Sequence, residues 1–199
     1  MHALILVDIQ NDFLPGGALP VKDGDQIIPY VNAIIDDFDL VVATQDWHPK
    51  DHGSFASNHK GKKIGEVIKL EGLDQIMWPD HCLQHSEGAE FSRDLDLHRV
   101  QMIFHKGTDP KIDSYSGLFD NGYLKSTGLG EYLKGEGVTD VTCVGLAADY
   151  CLKFTALDAV SKFGFNTHVP VKGTKAVNLQ PNDFERSIEV MREAGIKVM

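Results

Sequence analysis

The feature that most limits the fold is a set of short apolar runs in which polar and apolar residues do not alternate. Residues 3–7, 40–44 and 141–146 are such runs, and each has the length of one strand. A strand with this composition is buried on both faces, which is typical of parallel sheets covered by helices. These runs therefore predict the inner strands of a parallel sheet.

Apolar residues at helical spacing lie between the predicted strands. Asp25, Asp149 and Asn182 each precede such a segment and are the expected N-caps. The predicted helices cover roughly residues 25–38, 149–164 and 182–195, and further strands are predicted at 100–104, 165–169 and 196–199. The alternation predicts an α/β fold, a three-layer α/β/α sandwich with a mainly parallel, Rossmann-like sheet.

The length of 199 residues predicts a single domain, residues 1–199. Periodicity fails from about residue 47 to residue 98, where glycine, proline, tryptophan and histidine are frequent. A long segment without strong elements inside a compact domain is usually functional. We therefore expect residues 47–98 to be an inserted loop that binds a metal ion or a substrate.

Charge and cysteine content restrict the partners. With 19 basic and 29 acidic residues the net charge is −10, so neither nucleic acid nor a membrane surface is an expected partner. No apolar run reaches the length of a membrane span, and the first residues do not resemble a signal peptide. The three cysteines are an odd number, which favours free thiols and a cytoplasmic location. Cys143 is expected in the core, and a packing role is favoured for Cys82.

Reactive side chains follow four of the predicted strands: Asp8, Asp46, Lys106 and, after a short connection, Cys151. Ligands of open parallel sheets bind beyond the carboxyl ends of the strands. Each residue alone has a plain structural interpretation, such as a buried cysteine or a solvated lysine. Their joint placement favours a site at which two carboxylates, an ammonium and a thiol meet.

Cys151 falls at the start of its predicted helix, where free N–H groups and the helix dipole should lower the pKa of the thiol. Lys106 should act in the same direction. Asp8 can accept the thiol proton and pass it to a leaving amine. The backbone N–H groups of Ala147 and Cys151 can bind an oxyanion. These parts predict a hydrolase that works by acyl transfer.

Asp46 and His48 predict a metal site. Residues i and i+2 of an extended segment point the same way, so both side chains can bind one ion together with a third ligand from a distant loop. A few protein ligands with open positions are typical of a catalytic or substrate-binding metal. Oxygen and imidazole ligands suit zinc, iron or manganese.

Six blocks of sequence resemble the nicotinamidase/pyrazinamidase family of isochorismatase-like cysteine hydrolases. They occur in the family's order and together extend over nearly the whole chain. The blocks are Val-Asp-Ile-Gln-Asn-Asp-Phe at 7–13, Thr-Gln-Asp-Trp-His-Pro at 44–49, Trp-Pro-Asp-His-Cys at 78–82, His-Lys-Gly at 105–107, Tyr-Ser-Gly at 115–117 and Val-Gly-Leu-Ala-Ala-Asp-Tyr-Cys at 144–151.

The resemblance implies roles for three groups of residues. The first is a catalytic triad, with Asp8 as general base, Lys106 as stabiliser of the thiolate and transition state, and Cys151 as nucleophile. The second is a set of metal ligands, Asp46, His48 and His81. The third is the wall of a pyridine pocket, formed by Phe13, Trp78 and Tyr115. The resemblance also implies a cis peptide bond before Ala147 in many members, and a fourth metal ligand at His52 in some.

The implied activity is hydrolysis of nicotinamide to nicotinate and ammonia through a cysteine thioester, with pyrazinamide also accepted. A divalent metal ion, zinc before iron or manganese, would position the pyridine ring. Two alternatives stay open: another isochorismatase-like amidohydrolase, or a non-enzymatic protein of the same fold that binds a metal or ligand. The role of His52, the preferred amide and a homo-oligomeric state also stay open.

Overall fold

A seven-stranded parallel sheet forms the centre of the protein, and the computed structural model describes all 199 residues. The strands are β1 (His2–Val7), β2 (Leu40–Asp46), β3 (Val67–Leu70), β4 (Leu73–Ile76), β5 (Val100–Lys106), β6 (Asp140–Leu146), β7 (Asn166–Val169), β8 (Thr174–Lys175) and β9 (Lys197–Val198). The order in the large sheet is β5-β2-β1-β6-β7-β9, and β8 pairs with the end of β6. The strands β3 and β4 form a separate antiparallel hairpin.

Four helices cover the sheet: α1 (Ile28–Ile34), α2 (Leu129–Gly135), α3 (Cys151–Ser161) and α4 (Asp183–Glu193). Alternate residues of β1 enter different cores. Ala3, Ile5 and Val7 pack with α2, α3 and α4, whereas Leu4 and Leu6 pack with α1. Burial on both faces explains why the strands lack polar alternation. The predicted three-layer α/β/α fold is confirmed, and no helix combines the length and apolarity needed to span a bilayer.

The helix starts differ from the predictions. α1 is shorter than expected, and Asp25 lies in a preceding 3-10 turn, not at its N-cap. Tyr150, not Asp149, is the N-cap of α3. Asn182 is the N-cap of α4 as predicted, but its side chain makes no capping hydrogen bond. The β3–β4 hairpin lies inside the segment that shows no periodicity, and the sequence did not predict it.

Candidate active site

The four strands β5, β2, β1 and β6 are neighbours, so their carboxyl ends form one continuous edge. Lys106 and Asp46 are the last residues of β5 and β2, and Asp8 directly follows β1. Cys151 begins α3, and four residues separate it from the end of β6 at Leu146. The structure therefore brings together the four side chains that the sequence placed at this edge.

Lys106 is the centre of this group and is fully buried. Its Nζ atom lies 2.9 Å from Asp8 Oδ2 and 2.5 Å from Asp46 Oδ1, and it donates to the carbonyl oxygen of Ser114 at 2.9 Å. Two carboxylates thus compensate one buried ammonium. Removing a partner from such a buried group is strongly destabilising, because a charge remains unpaired away from water.

Cys151 lies beside this charged group and is 7% exposed. Its Sγ atom is 3.4 Å from Lys106 Nζ, and carboxylate oxygens of Asp8 and Asp46 lie within 4.8 Å of it. The thiol can therefore exchange a proton with Asp8 while an ammonium stands next to it.

Two backbone N–H groups next to the thiol are free to bind a ligand. The Ala147 N–H makes no hydrogen bond within the chain, and the Cys151 N–H is the first of α3, where no intrahelical acceptor exists. The peptide bond between Leu146 and Ala147 is cis, as in many members of the family that the sequence resembles. The two N–H groups are the pair that the sequence predicts for an oxyanion hole.

Burial dominates the electrostatics of the site. It raises the pKa of the Cys151 thiol well above its usual value; Lys106 opposes this shift, and Asp8 and Asp46 add to it. The predicted low pKa of Cys151 is therefore wrong, because the argument from the helix start did not include burial of the sulfur. Burial also raises the pKa of Asp8, which makes that carboxylate a better proton acceptor. For Lys106, burial alone would lower the pKa, but Asp46 and Asp8 outweigh it and keep the ammonium charged.

Asp46 also meets His48 and His81, and the ligand atoms of the three residues lie within 4.8 Å of one another. Asp46 Oδ2 is 3.4 Å from His48 Nε2 and 3.7 Å from His81 Nε2. The Nδ1 atom of His48 bonds to the carbonyl oxygen of Gly107 at 2.9 Å, and that of His81 to the carbonyl oxygen of Pro79 at 2.7 Å. Such bonds orient metal-binding imidazoles and leave Nε2 free as a ligand. One carboxylate and two imidazoles therefore fit a divalent metal ion.

His52 lies next to this cluster and is fully buried. Its Nδ1 atom bonds to Ser54 Oγ at 2.7 Å, while its Nε2 atom has no hydrogen-bond partner. His52 belongs to a second group of possible metal ligands with His48 and Asp113, in which one ligand atom from each residue lies within 4.8 Å of the others. Burial, together with repulsion from His48, lowers the pKa of His52 to about 4, which keeps the ring neutral as ligation requires. The role that the sequence left open is thus compatible with an additional donor.

A mainly apolar cavity connects the thiol to the Asp46 cluster. Phe13, Trp78 and Tyr115, the three predicted wall residues, all line it. Trp78 Nε1 donates to the Tyr115 hydroxyl at 3.2 Å, and this hydrogen bond links two residues of the cavity wall. Four lining residues were not predicted: Leu19, Asp113, Tyr150 and Val177. Only Tyr150, directly before Cys151, offered a signal, because the others lie in loops without periodicity.

Two further side chains hold Asp8 and Asp46 in place, Thr44 through the carboxylate of Asp8 and Gln10 through the backbone of Asp46. Thr44 Oγ1 donates to Asp8 Oδ1 at 2.7 Å. The Gln10 amide donates to the carbonyl oxygen of Asp46 and accepts from its N–H, both at 2.8 Å. These hydrogen bonds fix Asp8 and Asp46 before any ligand binds.

A parallel α/β sheet whose carboxyl edge holds a pocket with a thiol defines the class of this protein: an enzyme with a cysteine in its active-site pocket. The Isochorismatase domain matches residues 2–199, and the chain therefore belongs to the isochorismatase family.

Similar proteins define its place in the family. The chain is 45% identical to a nicotinamidase of Escherichia coli, over 98% of this chain and 92% of the relative. It is similar to the solved nicotinamidase/pyrazinamidase of Acinetobacter baumannii, with 44% identity, a TM-score of 0.96 and coverage of 100% and 95%. It is also similar to the yeast nicotinamidase Pnc1p bound to the inhibitor nicotinaldehyde, with 30% identity, a TM-score of 0.94 and coverage of 100% and 99%.

Proposed function

We propose that this protein hydrolyses nicotinamide to nicotinate and ammonia, and that it accepts pyrazinamide as well. One observation carries the proposal. Cys151 lines the same apolar cavity as the metal-binding cluster of Asp46, His48 and His81. Its Sγ atom lies 3.4 Å from Lys106 Nζ. A flat heteroaromatic amide can thus contact the thiol with its carboxamide and the cluster with its ring nitrogen. The identity to relatives named nicotinamidase supports this substrate.

The first half of the reaction forms a thioester. Asp8 takes the proton of the Cys151 thiol as sulfur attacks the carboxamide carbon, and the carbonyl electron pair moves to oxygen. The N–H groups of Ala147 and Cys151 bind that oxyanion. Asp8 then gives the proton to the nitrogen, the C–N bond breaks and ammonia leaves. The Lys106 ammonium stabilises the negative charge on sulfur and on the carboxylates.

The second half releases the acid. Asp8 accepts a proton from a water molecule whose oxygen attacks the thioester carbon. The oxyanion returns its electron pair, the C–S bond breaks, and Asp8 passes its proton to the Cys151 sulfur. The carboxylic acid then loses its proton to solvent and leaves as nicotinate. The raised pKa of Asp8 suits both halves, because a base works best when its pKa lies near the working pH.

The ring is held by Phe13, Trp78 and Tyr115 on the cavity walls. We propose Zn²⁺ as the ion held by Asp46, His48 and His81, since a carboxylate and two imidazoles are common zinc ligands. Such an ion would supply a Lewis acid for the ring nitrogen. If so, removal of the metal by a chelator should raise the KM for nicotinamide more than it lowers kcat. Metal analysis and steady-state kinetics on the same sample measure this, and an unchanged KM would contradict the ring-nitrogen role.

The test of the proposed function is Cys151→Ala. The variant should release no ammonia from nicotinamide while it retains the fold and the bound metal. Cys143→Ala is the matched control, because Cys143 is a fully buried cysteine in the core, where it packs away from the cavity. Ammonia release by Cys151→Ala, or none by the unaltered protein across a panel of pyridine and pyrazine amides, would refute the proposal.

We also propose that residues 1–199 form one domain, with residues 47–98 as an insertion that binds metal and substrate. Three residues of the proposed site support this, since His48, Trp78 and His81 all come from the insertion.

A further inference from the structure

Asp149 lies between Ala147 and Cys151, which both line the cavity, but Asp149 is not itself one of the lining residues. Its carboxylate is buried and accepts two backbone hydrogen bonds. Oδ1 accepts from the Val177 N–H at 3.0 Å, and Oδ2 from the Asn178 N–H at 2.8 Å. Hydrogen bonds to a carboxylate are roughly twice as strong as neutral ones. The carboxylate thus joins the start of α3 to a distant part of the chain.

One further bond connects the same two segments, because the Ala148 N–H donates to the carbonyl oxygen of Lys175 at 2.8 Å. A second bond lies just before them, where the Thr174 hydroxyl donates to the carbonyl oxygen of Gly145 at the end of β6 at 2.7 Å. We call residues 147–150 the oxyanion turn and residues 174–178 the latch segment. The latch segment runs beside the turn and places Val177 in the cavity wall.

The other hydrogen bonds of the oxyanion turn are local: the Tyr150 and Leu152 N–H groups both donate to the carbonyl oxygen of Ala147. Asp149 is the one side chain that hydrogen-bonds from within it, and no side chain elsewhere hydrogen-bonds to its backbone. Tyr150 has φ −131° and ψ −104°, outside the helical and extended regions, so α3 does not extend back into the turn. The direction of the Ala147 and Cys151 N–H groups therefore depends in part on what holds residues 147–150 from outside.

We propose that Asp149 is a positioning residue, which holds the Ala147 and Cys151 N–H groups in the direction of the oxyanion by fixing the oxyanion turn to the latch segment. The inference rests on the proposed function and adds a residue to its mechanism. Catalysis by such donors requires that they are fixed before the negative charge forms, because reorientation during the reaction would cost free energy. Asp149 would thus act on the transition state and not on binding of the ring.

Asp149→Asn tests this, because it keeps the size of the side chain but loses the charge and one acceptor. Nicotinaldehyde and nicotinate are the two probes. With the aldehyde, a bond forms between Cys151 Sγ and the carbonyl carbon, the carbonyl pair moves to oxygen, and the thiol proton goes to Asp8. The adduct carries an oxyanion at the Ala147 and Cys151 N–H groups, whereas nicotinate fills the ring pocket without such an adduct.

We expect Asp149→Asn to weaken inhibition by nicotinaldehyde about 10- to 100-fold and to lower kcat for nicotinamide by a similar factor, somewhat less than loss of a whole oxyanion donor. The Kd for nicotinate and the KM should change little. Asn178→Gly is the control: it removes the acceptor for the Phe184 N–H but keeps the backbone N–H that Asp149 binds. This control should leave the ratio of the two affinities unchanged.

Equal loss of affinity for both probes, or no loss for the aldehyde, would overturn the inference. If Asp149→Asn does not fold, Asp149→Glu replaces it, since the charge remains but the carboxylate moves by one methylene; the same selective loss is expected. Measurements on the unaltered protein distinguish failure of the proposed function from failure of the proposed role of Asp149. If it releases no ammonia from nicotinamide, the proposed function fails, and if it is active while the variant matches it, only the role of Asp149 fails.

Discussion

The hydrogen bond from Thr44 to Asp8 should set the pH at which the site becomes active. The Thr44 hydroxyl donates to Asp8 Oδ1 at 2.7 Å, and both side chains are fully buried. Thr44→Val keeps the shape of the side chain and removes the donor. A hydrogen bond to a charged group contributes about 1.5–3 kcal/mol. Since one pKa unit corresponds to about 1.36 kcal/mol, the pKa of Asp8 should rise by about 1–2 units.

The sign follows from the role of Asp8 as a base. Burial already raises the pKa of this carboxyl, and loss of the Thr44 donor raises it further. The acidic limb of the profile of kcat/KM against pH should therefore move upward by about 1–2 pH units, with most activity recovered above the new pKa. Thr44→Ser keeps the hydroxyl and should retain the original profile.

Stability provides a second measurement of the same shift. A carboxyl whose pKa is higher in the folded than in the unfolded state stabilises the fold at low pH, and this contribution is lost as pH rises through the folded pKa. The free energy of unfolding of Thr44→Val, relative to the unaltered protein, should therefore fall by about 1.5–3 kcal/mol between acidic and neutral pH. Urea unfolding at several pH values measures it. Superimposable pH–rate profiles for the Val and Ser variants would refute the reasoning.

Two other expectations concern the cysteines and the metal ligands. Because burial raises the pKa of Cys151, its alkylation by iodoacetamide should accelerate with pH without a plateau near neutrality. Burial raises the pKa of Cys143 to about 12, so this cysteine should stay unmodified until the protein unfolds. Mass spectrometry of the peptides decides this, and a plateau below pH 7 would show a low pKa instead. Gln10→Met should weaken zinc binding about 10- to 100-fold, because Asp46 loses its support. Gln84→Met is the control, since Gln84 bonds to the carbonyl oxygen of Trp47 and not to Asp46; equal zinc affinities in a chelator competition would contradict this expectation.

The inner strands were predictable because burial on both faces leaves a continuous apolar run. Ala3 to Val7 shows this clearly, since its alternate residues enter two different cores. The positions of Asp8, Asp46 and Lys106 followed from where strands end in a parallel sheet. The sequence could place these residues at one edge, but it could not give the distances between them.

Other features depend on contacts that no local pattern reveals. The β3–β4 hairpin has short strands of mixed exposure, joined at Glu71 and Gly72 and not by an Asn-Gly turn, so neither the alternation nor the turn signal was strong. The pKa of Cys151 depends on how deeply the folded chain buries the sulfur. Asp149 precedes a run of apolar residues at helical spacing, as an N-cap does. Its carboxylate instead binds residues 177 and 178, and no local pattern predicts that those residues pass beside it.

The two carboxylate oxygens of Asp46 have different partners. Oδ1 contacts the Lys106 ammonium beside the thiol, and Oδ2 faces the imidazoles of His48 and His81. The choice of ion and the reactivity of sulfur are therefore set by one shared carboxylate. An attempt to redesign this protein for a softer metal by exchanging Asp46 would also leave Lys106 with a single counter-charge. Redesign of either chemistry must begin with residues that only one of them uses, such as His81 for the ion or Thr44 for the proton.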